Sequence, residues 1–175
     1  MKTIILRKNE ITEAVSILKT GGIIVYPTET AYGLGCDATN KKAVRKIFVI
    51  KKRANAKKLP VIVSSVAMAK KYAVIRKNQE KMLKKKYTTI VFPAKKGTTA
   101  LRISCNNIAR SLTKKLGKPI VATSANISGS EPIYEISAIK RIFSGKVNAI
   151  IDAGNLKKRK GTRIIDATSG KVMRK

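Results

Sequence analysis

The sequence of 175 residues contains no histidine and no tryptophan, and it has only two cysteines. Without histidine, Ser-His-Asp and Cys-His catalysis are excluded, and so are most zinc sites. Cys36 and Cys105 lie far apart, so they predict neither a disulfide framework nor a Cys-x-x-Cys metal site. Any chemistry must therefore depend on Lys, Arg, hydroxyl, amide and a few carboxylate side chains.

Acidic residues are scarce: 9 Asp and Glu stand against 39 Lys and Arg, which gives a net charge of +30. Self-repulsion of this size opposes folding, and a polyanionic partner would relieve it. The alternative is a solvated basic surface without a specific partner. Charge alone indicates affinity for polyanions and identifies no particular site.

Long hydrophobic runs are also absent. The longest, from Gly21 to Val25, has the length of a strand, whereas a membrane-spanning helix needs ~20 apolar residues. The first ten residues become charged too early for a signal peptide. We therefore expect a cytoplasmic protein with no membrane partner. The hydrophobic residues, 43% of the chain, predict one core and a single domain over residues 1–175.

Helix and strand patterns alternate along the chain without repeats, which predicts one α/β domain with a mixed sheet. Asn9 is expected to cap the first helix, and the segment 28–40 is expected to be rich in turns. Strands are predicted near 3–6, 23–26, 61–63, 89–92, 101–103, 119–123, 149–151 and 163–165. Further helices are predicted over 43–48 and 66–73 and around Met82, Leu112 and Ile139.

The segment from Tyr26 to Ala38, YPTETAYGLGCDA, is the first with possible chemistry. Its glycines match G-x-G-x-x-A, but a dinucleotide-binding loop leaves its strand directly into the glycines and needs an acidic residue ~20 positions later. Neither condition is met. A tight turn would explain Gly33 and Gly35, but not the polar run 28–30 beside a buried strand.

Two further segments each present polar side chains two residues apart. Lys51 and Arg53 could point to the same side only where the chain leaves a helix, and together they could hold oxygens of a triphosphate. Ser124 and Asn126 follow a buried strand, and their hydroxyl and amide could bind phosphate oxygens without adding charge. The alternatives are a solvated helix end for the first pair and a turn cap for the second.

A fourth segment joins Asp152 and Gly154 to the basic run 157–160, which precedes Gly161 and Thr162. The basic run is compatible with a polyanion clamp or a nuclear signal, although such runs are commonly only solvated.

In this order the motifs resemble those of the YrdC-like threonylcarbamoyl-AMP synthases. YPTET-YGLG, K-x-R, T-x-A-x-R, TSAN-SG and a late D-x-G span Gly21 to Arg174. The resemblance implies an open, twisted, mixed α/β sheet with helices packed on it and a basic concave face. It also implies the short, single-domain form of the family, without a C-terminal domain.

The resemblance further implies a role for each matching residue. Lys51, Arg53, Ser124 and Asn126 would be the catalytic set that holds the nucleotide phosphates. The further nucleotide contacts would be Lys57, Thr98 and Arg174. The threonine contacts would be Thr30, Arg102, Ala122 and Thr162, with Arg102 suited to the carboxylate. Thr162 replaces a serine of the family, and Ile62 replaces a histidine that many relatives have.

The implied reaction joins L-threonine, bicarbonate or CO₂, and ATP to give threonylcarbamoyl-AMP and pyrophosphate for tRNA modification. ATP is a substrate, with Mg²⁺ as its companion, and no protein-held metal is predicted. A downstream threonylcarbamoyl transferase complex would be the further partner. The alternative is a protein of the same fold that binds tRNA, double-stranded RNA or the ribosome without synthase activity; a nicotinamide-dependent reductase is a third hypothesis.

Overall fold

The structure is a computed structural model that describes residues 1–53 and 59–174. Its strands are β1 (Ile4–Arg7), β2 (Ile24–Pro27), β3 (Tyr32–Gly35), β4 (Val61–Val63), β5 (Thr88–Pro93), β6 (Thr98–Ile103), β7 (Ile120–Val121), β8 (Thr123–Ser124), β9 (Ala149–Asp152), β10 (Arg163–Asp166) and β11 (Val172–Arg174). Its helices are α1 (Ile11–Lys19), α2 (Lys41–Ile50), α3 (Val66–Lys70), α4 (Glu80–Leu83), α5 (Asn107–Leu116) and α6 (Ile136–Phe143).

Hydrogen bonds divide the strands into two mixed sheets. One has the order β1-β9-β2-β3-β8 and the other has the order β11-β10-β5-β6-β4-β7. Both contain parallel and antiparallel pairs; β2, for example, is parallel to β9 and antiparallel to β3. The predicted mixed α/β class is confirmed, with the strands shared between two sheets.

The strand β2 is buried on both faces, which explains its continuous apolar sequence. Val25 belongs to one hydrophobic core together with Ala43 and Ile47 of α2. Its neighbours Ile24 and Tyr26 point to the opposite face and belong to a second core, which includes α1 and α5. The turn between β2 and β3 therefore begins at a strand that is packed on both faces.

The segment 28–40 contains a strand that we did not predict from the sequence. Gly33 and Gly35 lie in β3, and neither is among the glycines with positive φ. The proposed tight turn at these glycines is therefore wrong. Close packing explains Gly35, because a Cβ there would lie 2.5 Å from the carbonyl oxygen of Val121.

Two other local predictions differ from the structure, and one strand was missed. The residue before the first helix is Glu10 and not Asn9, and the Glu10 side chain makes no cap hydrogen bond to α1. Its carboxylate instead accepts a hydrogen bond from the Arg7 N–H. The strand predicted at 119–123 is divided into β7 and β8. The terminal strand β11 was not predicted.

The division between β7 and β8 places the chain at the junction of the two sheets. β7 pairs with β4 in the six-stranded sheet, and β8 pairs with β3 in the five-stranded sheet. Between them, the Ala122 N–H donates a hydrogen bond to Pro60. The segment 122–126 is therefore held by both sheets.

No helix within residues 1–53 and 59–174 is long and apolar enough to cross a membrane.

Candidate functional site

The end of α2 is joined to the segment after β8. Lys51, 2% exposed, donates hydrogen bonds from its Nζ to the carbonyl oxygens of Ser124 (2.6 Å) and Asn126 (2.8 Å) and to Asn126 Oδ1 (2.8 Å). In return, the Ser128 N–H donates to the carbonyl of Lys51 at 2.8 Å. The two segments that the sequence singled out, 51–53 and 124–126, are therefore in direct contact.

The chain leaves the helix at Lys51, and Lys51 and Arg53 can point to the same side only if it does so. α2 ends at Ile50, and Lys52 has a φ of 50°, which is uncommon for a residue with a side chain. Arg53 lies beyond this turn. Burial and, second, the charge of Arg53 lower the pKa of Lys51 to about 8, which indicates that the two cationic groups are close together.

Ser124 and Asn126 are also bonded to each other. The Ser124 hydroxyl donates to Asn126 Oδ1 at 2.7 Å, and Asn126 Nδ2 donates to the carbonyl of Ser130. The segment is further attached to β3, where Ser124 is opposite Gly33 and the Ala125 N–H donates to the Tyr32 carbonyl at 2.8 Å. The TSAN and YGLG motifs are thus neighbours.

A second cluster surrounds Arg102. This residue lies in β6 opposite Ile62 of β4 and is 7% exposed. Its Nε lies 3.3 Å from Glu29 Oε1, but without hydrogen-bond geometry, and Ser104 Oγ donates a hydrogen bond to Glu29 Oε2. Neither Glu29 nor Ser104 is among the site residues that the sequence predicts. The small number of acidic residues was the signal that could have drawn attention to Glu29.

Thr162 and Arg174 form a third group. The hydroxyls of Thr162 and Thr89 are hydrogen-bonded at 2.7 Å, and Arg174 Nη2 donates to the Thr162 carbonyl at 2.8 Å. Desolvation and, second, the charge of Arg102 lower the pKa of Arg174, so this group lies near the Arg102 cluster.

The remaining predicted site residues have these positions. Thr30 lies in the turn between β2 and β3, with its Oγ1 3.2 Å from that of Thr28. Ala122 lies at the junction of the sheets, and Thr98 begins β6. Lys57 lies outside the described residues. No group of three or more His, Cys, Asp or Glu that could hold a metal ion occurs within the described residues.

The basic run 157–160 lies next to the turn that contains Glu29. Lys157 and Arg159 line a cavity of about 280 Å³ together with Glu29, Tyr87, Cys105 and Asn106. The Arg159 guanidinium lies 5.4 Å from the centre of the Tyr87 ring and donates to its hydroxyl. Another cavity, of about 330 Å³, is lined by residues such as Gly22, Val49 and Lys146, and none of the predicted site residues lines it.

The fold and the site define a class of protein. The family model of the Sua5, YciO and YrdC proteins, described as telomere recombination, matches residues 16–175, so the chain belongs to this family. A curated relative, the threonylcarbamoyl-AMP synthase of Psychromonas ingrahamii, is 31% identical over 98% of this chain and 99% of its own length.

Solved structures agree with this assignment. The structure of E. coli YciO has a TM-score of 0.84 and 27% identity, and the match covers 99% of this chain and 94% of that chain. P. abyssi Sua5 complexed with L-threonine has a TM-score of 0.86 and 29% identity, over 95% of this chain. This chain spans only 54% of the length of that Sua5 structure.

Proposed function

We propose that the chain is a threonylcarbamoyl-AMP synthase, which forms threonylcarbamoyl-AMP and pyrophosphate from L-threonine, bicarbonate or CO₂, and ATP. The observation that carries the proposal is the contact of Lys51 with the segment 124–126. In a member of this family, that contact unites the K-x-R and S-x-N elements in one site. The curated synthase, matched over nearly its whole length, supports the same activity.

Each part of the site has its own task in the proposed mechanism. An oxygen of N-carboxythreonine attacks the α-phosphorus of ATP, and pyrophosphate leaves in line. This chemistry depends on positioning and charge neutralisation more than on a strong base, which agrees with the absence of histidine. The Arg53 guanidinium neutralises phosphate charge as the leaving group departs. Lys51 donates its three hydrogen bonds to protein oxygens. It therefore acts on the phosphates through its positive charge and not through direct hydrogen bonds.

The second cluster would bind the amino acid. Arg102 offers a planar guanidinium for the threonine carboxylate, and two residues outside this cluster, Thr30 of the turn after β2 and Thr162 of the third group, would offer hydroxyl groups. ATP would enter as its Mg²⁺ complex, whose ligands come mainly from phosphates and water. Lys57, Thr98 and Arg174 would contact the nucleotide and Ala122 the threonine. We further propose that the product passes, in the cytoplasm, to a transferase complex that modifies tRNA.

Pyrophosphate release tests the proposed function. The protein with ATP and bicarbonate should release pyrophosphate only when L-threonine is present. Arg53→Ala should lower this rate by about two orders of magnitude or more, since a preorganised charge at the phosphates is lost, while the circular dichroism spectrum stays unchanged. Lys19→Ala, at an exposed position at the end of α1 and outside the proposed site, should retain the rate. Equal rates with and without threonine would disprove the synthase proposal.

The charge of +30 favours a second candidate function, the binding of RNA by the same fold without synthase activity. A double-stranded RNA should then bind with a steep dependence on salt, because cationic side chains release counterions from the phosphates. Such binding together with no threonine-dependent pyrophosphate release would favour this candidate.

A further inference from the structure

Glu29 has two polar partners that are distant in sequence. It lies in the turn between β2 and β3, and its side chain is only 4% exposed. One carboxylate oxygen faces Arg102 Nε at 3.3 Å, and the other accepts a hydrogen bond from Ser104 Oγ. Both oxygens of this carboxylate are thus engaged by the segment 102–104.

The local geometry of that segment explains the arrangement. Ile103 is the last residue of β6, so Arg102 and Ser104 are two positions apart in extended chain and point to the same side. Ser104 is fully buried, and its Oγ also accepts a hydrogen bond from the Asn106 N–H at 3.1 Å. Ser104 therefore holds the Glu29 carboxylate from a fixed position.

The Arg102 guanidinium still has hydrogen-bonding capacity. Its Nε is the only buried side-chain nitrogen or oxygen without a hydrogen-bond partner in residues 1–53 and 59–174. A guanidinium that is nine-tenths buried needs a counter-charge, and Glu29 supplies one on its Nε edge. Glu29 also lines the 280 Å³ cavity, and Arg102 lies directly behind it, outside the lining of that cavity.

We propose that Glu29 is a positioning residue, which holds the Nε edge of Arg102 so that the two Nη groups face the carboxylate of the amino-acid substrate. This inference rests on the proposed function, because that function makes threonine the ligand. Glu29 does not touch the reacting atoms. It acts through Arg102, and Ser104 supports it.

The test compares two ligands in two proteins by calorimetry. L-Threonine and L-threoninamide differ in the carboxylate that Arg102 would bind. The wild type should prefer threonine, and Glu29→Gln should reduce this preference at least about tenfold, because a charge-assisted contact is misaligned. The Kd for ATP should stay within about twofold. A merely structural role of Glu29 would weaken both amino-acid ligands by the same factor, and that outcome would overturn the inference.

Two variants complete the comparison. Ser104→Ala should reduce the preference in the same direction but less, because it removes the support of Glu29 and keeps its charge. Glu13→Gln, at an exposed position of α1, removes the same charge and should leave the preference unchanged. An equal effect of Glu13→Gln would show that net charge is responsible, which would overturn the inference.

A measurement without ligand separates this inference from the proposed function. The Nε–H resonance of Arg102, assigned with Arg102→Lys, should shift in Glu29→Gln, because the neighbouring carboxylate loses its charge, and should stay in place in Glu13→Gln. An unchanged resonance would contradict the positioning role. If the resonance changes as expected but the wild type binds no threonine, the proposed function fails, while the Glu29–Arg102 contact is supported.

Discussion

Lys51 shows how a charged side chain can be fully engaged inside a protein. Its ammonium group has three N–H donors, and three oxygens of residues 124 and 126 accept from it. A buried charge is tolerated only when it is paired or fully hydrogen-bonded. The same bonds fix the backbone that carries Ser124 and Asn126. Lys51 is therefore as important for the shape of the site as for its charge.

Replacement of Lys51 by Met keeps the length of the side chain and removes all three donors. We expect Lys51→Met to lower the free energy of unfolding by about 2–4 kcal/mol near pH 7, because it leaves buried oxygens without partners. Urea denaturation measures this loss. Lys52→Met, at the exposed neighbouring position, should change the stability by less than about 0.5 kcal/mol. A Lys51→Met variant as stable as the wild type would show that these hydrogen bonds are not needed.

The pKa of Lys51 predicts how this loss depends on pH. Its value in the folded protein, about 8, is below the ordinary value of 10.5. Between these values the unfolded chain binds more protons at this group, so its contribution to wild-type stability rises with pH. The stability difference between the wild type and Lys51→Met should therefore widen from about pH 7 to about pH 9.5. If the stability difference between the two proteins narrows instead, the three hydrogen bonds of Lys51 raise its pKa above the ordinary value of 10.5.

At the scale of the elements, α2 and β3 show what the sequence predicts and what it does not. The helix α2 was predicted because Ala43 and Ile47 are spaced for one buried face. The strand β3 was not predicted, because its YGLG sequence has the composition of a turn. The Tyr26 side chain packs against both glycines, and β7 packs against Gly35. The local sequence does not reveal these contacts.

The two glycines of β3 provide a matched pair of substitutions. At Gly35 a Cβ would lie 2.5 Å from a backbone oxygen, whereas at Gly33 the nearest atom is a side-chain methyl of Thr28 at 3.1 Å. We expect Gly35→Ala to destabilise the protein by about 1–3 kcal/mol and Gly33→Ala by clearly less, because a side chain can shift more easily than a backbone. Thermal unfolding measures both variants. A larger loss at Gly33 would contradict the packing explanation of Gly35.

At the scale of the whole molecule, the site depends on contacts between distant parts of the chain. The proximity of Lys51 to residues 124–126 was expected, because both segments matched one family pattern. Glu29 was not included, because Ser104 and Arg102, its partners, lie more than 70 positions away. A sequence motif names the residues that meet a substrate more readily than those that hold them in place.

The excess of positive charge is a property of the whole molecule that the described contacts do not remove. The ion pairs among residues 1–53 and 59–174 already engage five of the nine acidic residues, namely Glu10, Glu29, Asp37, Glu80 and Asp152. Most of the 39 basic residues therefore have no acidic residue available as a partner. Their mutual repulsion is weaker in the unfolded chain, where the charges are farther apart, so it opposes folding.

Salt should therefore stabilise the fold. Its screening length falls from about 10 Å at 0.1 M to about 3 Å at 1 M, so repulsion between surface charges declines. We expect the Tm to rise by about 3–5 °C between about 0.05 and 0.5 M KCl, and by more with a polyphosphate at the same ionic strength. A chemically acetylated sample that remains folded, with its lysine charges neutralised, should show a much smaller rise. If the Tm falls with added salt, attractive ion pairs outweigh the repulsion, and the need for a polyanionic partner disappears.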